Sequence, residues 1–143
     1  AREKKLAYEF RIENLGPKYH PNTLKIILEA EGKKPLSVIG SSIGGGNIEI
    51  VKIDEFDVNI HGVAGKYKTL VTVHNLLPKT LTDLANRIWE KGIRVATVES
   101  SRVGEKALSI IHTEGRKLTL DSVLELEKLP GIEFVRSLTK LSN

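Results

Sequence analysis

Apolar and polar residues alternate near the start of the chain. In the segment Lys5–Asn14 every second residue is apolar, which is typical of a half-buried strand. The β-branched and aliphatic run Thr23–Ala30 predicts a second strand, separated from the first by the breaker pair Gly16-Pro17. The first part of the chain is therefore expected to be mainly β.

A glycine-rich stretch then lies between two apolar segments. Leu36–Ile39 and Ile48–Ile53 predict strands, and Gly40–Asn47 between them predicts a loop. A second interruption of the apolar pattern, with small residues and two glycines at His61–Lys66, predicts a boundary between two structural units.

The pattern changes from a period of two to helical spacing after this boundary. Thr69–Val73 predicts a strand, Thr80–Asp83 resembles a capping box, and Gly92 lies where a helix C-terminal glycine is expected. The apolar residues between them recur on one helix face and predict its core contacts, with Trp89 packed in the core. They are Leu81, Leu84, Ala85, Ile88 and Trp89.

A strand pair and a second helix complete the chain. The pattern predicts strands at Ile93–Val98, Ala107–His112 and Ile132–Leu138, with Arg102–Lys106 as a hairpin turn. It also predicts a helix capped by Thr119, with Leu120, Val123, Leu124 and Glu127 along it, ending at Leu129-Pro130-Gly131. The order βαββαβ predicts a ferredoxin-like antiparallel sheet with both helices on one face, in a chain of α+β class.

Composition narrows the class of protein. The chain has 143 residues, of which 40% are hydrophobic, enough for a globular core. Lys and Arg exceed Asp and Glu by 22 to 18, but the charges are interspersed, aromatic residues are few and no helix-turn-helix is found, so nucleic acid is not expected as a partner. No apolar run of about 20 residues or signal peptide occurs, so a cytoplasmic protein without membrane contact is expected.

Cysteine and methionine are both absent. The chain therefore has no thiol for a disulfide, a nucleophile or a cluster ligand, and any such chemistry must come from another chain. Without methionine, Ala1 is either a start from which Met was removed or the cut end of a longer protein.

Two polar motifs are candidate binding sites. The glycines and the Ser41 and Ser42 hydroxyls of the stretch Gly40–Asn47 offer donors to a carboxylate or phosphate, although the residues alone favour a plain flexible hairpin. His74 and Asn75 follow a strand and offer donors and acceptors to an α-amino acid, or they simply form a turn. His61 and His112 lack the spaced partners of a metal site, and no metal-binding residue is predicted.

Several segments, taken in chain order, resemble a known pair of domains. The later segments resemble an ACT domain: they are Thr69–Val73, His74-Asn75 with Pro78, Gly92-Ile93, Glu99–Arg102 and Leu129–Ile132. The earlier ones resemble an allosteric-substrate-binding (ASB) domain: they are His20–Thr23, Leu36–Glu49 and Asp54–Val58. In this order they resemble the β chain of bacterial iron–sulfur L-serine dehydratase.

The resemblance implies that the regulatory and the catalytic functions lie on different chains. Residues 1–62 would form a partial ASB domain and residues 67–143 an ACT domain, in a regulatory and structural chain of an enzyme that converts L-serine to pyruvate and ammonia. A 4Fe–4S cluster would be held by the partner α chain, with no catalytic or metal-binding residue here, and ACT domains would pair into a homodimer. L-serine or another amino acid would contact Ser41, Ser42, Gly44, Gly45, Gly46, His74 and Asn75.

The chain also departs from the family pattern. The family's N-terminal Ser-Ser-Ser-His-Thr segment is absent, which favours a fragment that begins within the ASB domain. The family loop His-Asn-Asp-Arg-Pro-Gly reads His74-Asn75-Leu76-Leu77-Pro78-Lys79 here, without the acidic residue and the closing glycine. The alternative to a dehydratase chain is the regulatory ASB–ACT module of a 3-phosphoglycerate dehydrogenase, or a stand-alone amino-acid sensor.

Overall fold

The computed structural model of the chain describes residues 7–61, 68–116 and 118–138. These residues form two four-stranded antiparallel sheets and two helices, an α+β architecture. The strands of the first sheet, in the order β1-β2-β3-β4, are β1 (Thr23–Leu28), β2 (Leu36–Gly44), β3 (Asn47–Ile53) and β4 (Phe56–Ile60). The other elements are β5 (Lys68–Asn75), α1 (Thr80–Glu90), β6 (Ile93–Val103), β7 (Lys106–Gly115), α2 (Leu120–Glu127) and β8 (Ile132–Leu138).

The second sheet has the strand order β6-β7-β5-β8, with both helices on one face. Leu84 and Ile88 of α1 and Val123 of α2 pack with apolar residues of the sheet in one buried cluster. This βαββαβ order, with the first and third strands in the centre, agrees with the predicted ferredoxin-like arrangement.

The other face of the second sheet packs against the first sheet. Side chains alternate along a strand, so Val71 and Val73 of β5 point away from the helices. They form a buried cluster with Ile53 and Phe56 of the first sheet. The chain is therefore layered as helices, sheet and sheet, and the two sheets share a core.

The two helices begin in different ways. Thr119 caps α2 as predicted, because its side-chain oxygen accepts a hydrogen bond from the Ser122 backbone N–H at 3.2 Å. The predicted capping box of α1 is wrong: Lys79 is the N-cap, it adopts the left-handed conformation (φ 69°), and its side chain makes no capping bond. Lys91 links the helices by an ion pair to Glu125, and this hydrogen bond lowers the pKa of Glu125.

Replacing Lys79 with glycine is expected to raise the free energy of unfolding by about 1 kcal/mol. A non-glycine residue in the left-handed region destabilises the folded state by roughly 1–2 kcal/mol. Glycine removes this strain, but its greater conformational freedom in the unfolded chain cancels a part of the gain. Urea denaturation measures the change. The matched control is Gly92→Ala, also at positive φ (72°) in open space, which is expected to lower stability by about 1 kcal/mol. Equal effects of the two changes would contradict the assignment of strain to Lys79.

Several predicted elements differ from the structure. Residues 7–14 carry no strand, although Lys5–Asn14 was expected to be half-buried; residues 5 and 6 lie outside the described part. Trp89 is 65% exposed rather than in the core, because Leu84 and Ile88 fill the buried side of α1. Leu120 and Leu124 are likewise exposed on α2. The predicted boundary at His61–Lys66 lies outside the described residues except for His61.

Candidate functional site

A polar cleft of about 570 Å³ lies on the face of the first sheet that is turned away from the second sheet. Ser41 of β2 and Glu49 of β3 are cross-strand partners on this face. The segment that precedes β1 forms the other wall. The lining residues are Lys18, Tyr19, His20, Ser41, Glu49, Val51 and Asp57.

A β-bulge in β3 lies beside the cleft. The ladders of β3 with both neighbouring strands shift register at Val51, between Ile50 and Lys52. Without the bulge, Glu49 and Lys52 would lie on opposite faces, because they are three residues apart. With it, Lys52 pairs across the strands with Asp57, which lines the cleft, at 3.8 Å.

The buried Ser41 side chain has a defined hydrogen-bond direction. Thr23 Oγ1 donates to the His20 carbonyl oxygen at 2.5 Å, because a carbonyl can only accept. The 2.7 Å contact between Ser41 Oγ and Thr23 Oγ1 must then be a donation from Ser41. The Ser41 hydroxyl hydrogen is thus used within the protein, and Ser41 Oγ, on a residue that lines the cleft, keeps its capacity to accept a hydrogen bond.

Opposite charges line the cleft. The Lys18 ammonium lies over the Tyr19 ring, 4.9 Å from its centroid. Glu49 is largely buried, and its carboxylate lies 3.2 Å from His61 Nδ1. His20 Nδ1 accepts from the Asn22 backbone N–H at 3.1 Å, so the ring hydrogen of neutral His20 is on Nε2. A cationic group, a carboxylate and a hydroxyl acceptor therefore line one space, which suits a ligand that carries both charges.

The structure separates the residues predicted in the glycine stretch. Only Ser41 lines the cleft; Ser42 is the next residue of β2 and points to the other face. Gly44 ends β2, and Gly45 and Gly46 form the tight turn to β3, all three at positive φ. The predicted glycine loop is therefore mostly strand, with a turn that does not line the cleft.

His74 and Asn75 belong to strand β5 rather than to a loop. The His74 ring is 1% exposed: Nδ1 donates to the Asn75 carbonyl at 3.1 Å, and Nε2 lies 2.9 Å from Ser109 Oγ. Ser109 Oγ in turn lies 2.7 Å from Ser100 Oγ. Asn75 donates its backbone N–H to the Gly131 carbonyl. In this structure His74 is a buried strand-to-strand link, and neither residue lines the cleft on the first sheet.

A smaller opening of about 340 Å³ lies between β4 and β6. Its two ionisable lining residues, Asp57 and Glu99, are both acidic. It therefore offers no positive group to a carboxylate, and the cleft at Ser41 is the better candidate site for an amino acid.

Sequence reasoning missed Lys18, Tyr19 and Glu49. Charged residues in a loop or on an alternating strand normally face solvent, and the bulge at Val51 leaves no signal in the hydrophobic pattern. The available signal was the polar group Lys18-Tyr19-His20 between Pro17 and Pro21, directly before a strand. His20, which sequence reasoning interpreted as an ordinary loop residue, also lines the cleft.

In the described part of the chain, no three His, Asp or Glu side chains come together as a metal-binding group. The full sequence has no cysteine, so its residues do not fit an iron–sulfur cluster. No helix among the described residues has the length and apolar character needed to cross a membrane.

Comparison with known proteins gives two curated relatives. No protein-family model matches the chain. A Bacillus subtilis (strain 168) protein named "Probable L-serine dehydratase, beta chain" is 35% identical over 133 residues, 92% of this chain and 58% of the relative. The Peptoniphilus asaccharolyticus "L-serine dehydratase, beta chain" is 41% identical over 75 residues, 50% of this chain and 31% of that protein. The chain thus spans less than two thirds of either relative.

Among solved structures, the C-terminal domain of the Mycobacterium tuberculosis MgtC protein is similar to part of this chain. The similarity covers 52% of this chain and 86% of that domain, with a TM-score of 0.41 and 17% sequence identity. The two curated relatives confirm the resemblance to L-serine dehydratase β chains, and they identify the chain as a homologue of these proteins.

Proposed function

We propose that this chain serves as the regulatory and structural β chain, or part of it, of a cytoplasmic L-serine dehydratase that converts L-serine to pyruvate and ammonia. The observation that carries the proposal is the 35% identity to the B. subtilis protein across 92% of this chain. Residues 1–62 are proposed as an ASB segment and residues 67–143 as an ACT domain. The 4Fe–4S cluster belongs in this proposal to a partner α chain.

The proposed ligand of the cleft is an α-amino acid, with L-serine the first candidate. The ammonium of Lys18 would bind the ligand carboxylate, and the Glu49 carboxylate would bind its α-ammonium. Because Ser41 donates its own hydrogen to Thr23, its oxygen is free to accept a hydrogen bond from the ligand hydroxyl. All three groups line one cleft, which supports an effector or substrate role for this face of the sheet.

The enzyme assignment is tested by co-expression with a candidate cysteine-containing α chain. We expect the two chains to co-purify and to form pyruvate from L-serine under anaerobic conditions, while this chain alone forms none. A purified pair that carries its cluster and ignores L-serine would contradict the substrate. A neighbouring or fused nicotinamide-binding domain in place of the α chain would favour the dehydrogenase alternative.

The second sheet is proposed to associate with its counterpart in another copy through strand β6. This strand is an edge of the sheet, and the ring of Trp89 is exposed on the adjacent helix together with Val98 on the strand. Pairing of two such edges would extend the sheet across the dimer and cover both side chains.

Replacing Trp89 with glutamate is expected to weaken dimerisation by at least about 30-fold, because an exposed tryptophan at a sheet edge has the properties of an interface hot spot. Sedimentation velocity over a concentration series measures the change. Leu120→Glu is the matched control, since Leu120 is also exposed (73%, against 65% for Trp89) but lies on α2. If Trp89→Glu left the distribution of oligomers the same as in the unmodified chain, this edge would be excluded as an interface.

A further inference from the structure

The segment Ala7–Asn14 has alternating side chains but belongs to no strand of the described structure. Tyr8 and Phe10 lie on one side, with their rings in an edge-to-face contact at 5.7 Å. Glu9 and Arg11 lie on the other side, joined by two hydrogen bonds of 2.9 and 3.1 Å. Tyr8, Phe10 and Ile12 are between 72% and 106% exposed, and the structure assigns no strand to residues 7–22.

Strand β1 has complementary features. It is an edge of the first sheet, paired only with β2, so one row of its backbone groups is open. Leu24, Ile26 and Leu28 lie on the same side of the strand and are 44–56% exposed. The other side carries Lys25, which is the only charged residue of the strand.

We propose that the segment Ala7–Asn14 of one copy pairs as an added strand with β1 of a second copy, and that the exchange is reciprocal. A two-fold exchange satisfies the open edge of β1 in both copies, so this contact is closed between two chains. The proposal concerns a surface separate from the cleft and from β6, and it does not depend on the dehydratase assignment.

Side-chain chemistry fits this pairing in either direction. In an antiparallel register with Phe10 opposite Leu24, Glu9 faces Lys25; in a parallel register with Phe10 opposite Ile26, Glu9 again faces Lys25. The aromatic side of the segment meets the aliphatic side of β1 in both registers. No like charges face each other along β1.

The link to β1 argues for a second copy rather than for pairing within one chain. Residues 15–22 are held by local hydrogen bonds, from the Gly16 N–H to Asn14 Oδ1 and from the Asn22 N–H to His20 Nδ1. Lys18, Tyr19 and His20 of this link line the polar cleft. A hairpin within one chain would have to take these residues as its connecting loop, whereas exchange between copies leaves them in place.

A charge-swap experiment in the 143-residue chain tests the pairing. All variants carry Trp89→Glu, so that association through the β6 edge does not contribute. We expect sedimentation velocity to show a remaining dimer. Glu9→Lys and Lys25→Glu are each expected to weaken it by about tenfold, since each dimer contains two such pairs, and the double change is expected to restore it to within about threefold. Phe10→Asp should abolish it.

Hydrogen exchange distinguishes the two arrangements of the segment. Protection of amides in residues 7–14 should rise with protein concentration if the partner is a second copy. Protection that is independent of concentration would show pairing within one chain and overturn the proposal. A monomer at every concentration, or a dimer indifferent to Glu9→Lys and Phe10→Asp, would overturn it as well. All of these positions are exposed, so circular dichroism should remain unchanged.

Discussion

Replacing Phe56 with alanine is expected to lower the free energy of unfolding by about 3–5 kcal/mol. Phe56 is 1% exposed and, among the described residues, it is the fully buried aromatic residue of the cluster that joins the two sheets, with Phe134 packed partly buried against it. It shares this cluster with Val71, Val73 and Leu108 of the second sheet, so its removal is expected to leave a cavity between the two sheets. Urea denaturation followed by circular dichroism measures the loss.

The control for Phe56 is Ile48→Ala on the same sheet. Ile48 is mostly exposed, and its truncation is expected to change stability by less than about 1 kcal/mol. A cost for Phe56→Ala as small as that of the control would mean that the sheets do not share a core. Two separate unfolding transitions in the unmodified chain would mean the same, since one shared core predicts one cooperative transition.

Sequence reasoning predicted best the elements in which the apolar pattern also shows which side chains are buried. The strand Ile132–Leu138 has the predicted bounds, and the helix over Leu84 and Ile88 buries the predicted centre of its apolar face. The same reasoning placed Trp89 in the core, because a stripe five residues wide looks continuous in sequence. In three dimensions Trp89 is about 100° around the helix from Ile88, and this rotation places it at the rim.

Patterns that show what a segment is able to form, but not which residues it contacts, were less informative. The alternation in residues 7–14 describes a strand that is able to pair, but pairing also needs an open edge, which a local pattern does not record. The glycine stretch suggested a binding loop. Strand pairing, however, uses backbone N–H and C=O groups, which glycine also has, so β2 continues through Gly40 to Gly44. The cleft depends on the bulge at Val51 and on a distant turn segment, and neither leaves a periodic signal in the sequence.

Replacing Glu49 with lysine is expected to weaken binding of L-serine by at least about tenfold, and up to about 100-fold. A hydrogen bond to a charged group contributes about 1.5–3 kcal/mol, and the Glu49 side chain is only 24% exposed, so solvent screens it weakly. The reversed charge would also repel the ligand ammonium. Isothermal titration calorimetry with L-serine measures the change, and Glu105→Lys makes the same charge change at a 91% exposed side chain in a distant turn.

Ligand analogues assign each charge to its partner. L-serine methyl ester keeps the ammonium but lacks the carboxylate, so Lys18→Gln should weaken L-serine and leave the ester unaffected, while Glu49→Gln should weaken both. A hydroxy acid without the ammonium should show the reverse dependence. If Lys18→Gln weakened both L-serine and its ester equally, Lys18 would not bind the carboxylate. If L-serine gave no heat with the unmodified chain alone but did so with the α chain present, the amino-acid site would need groups from both chains.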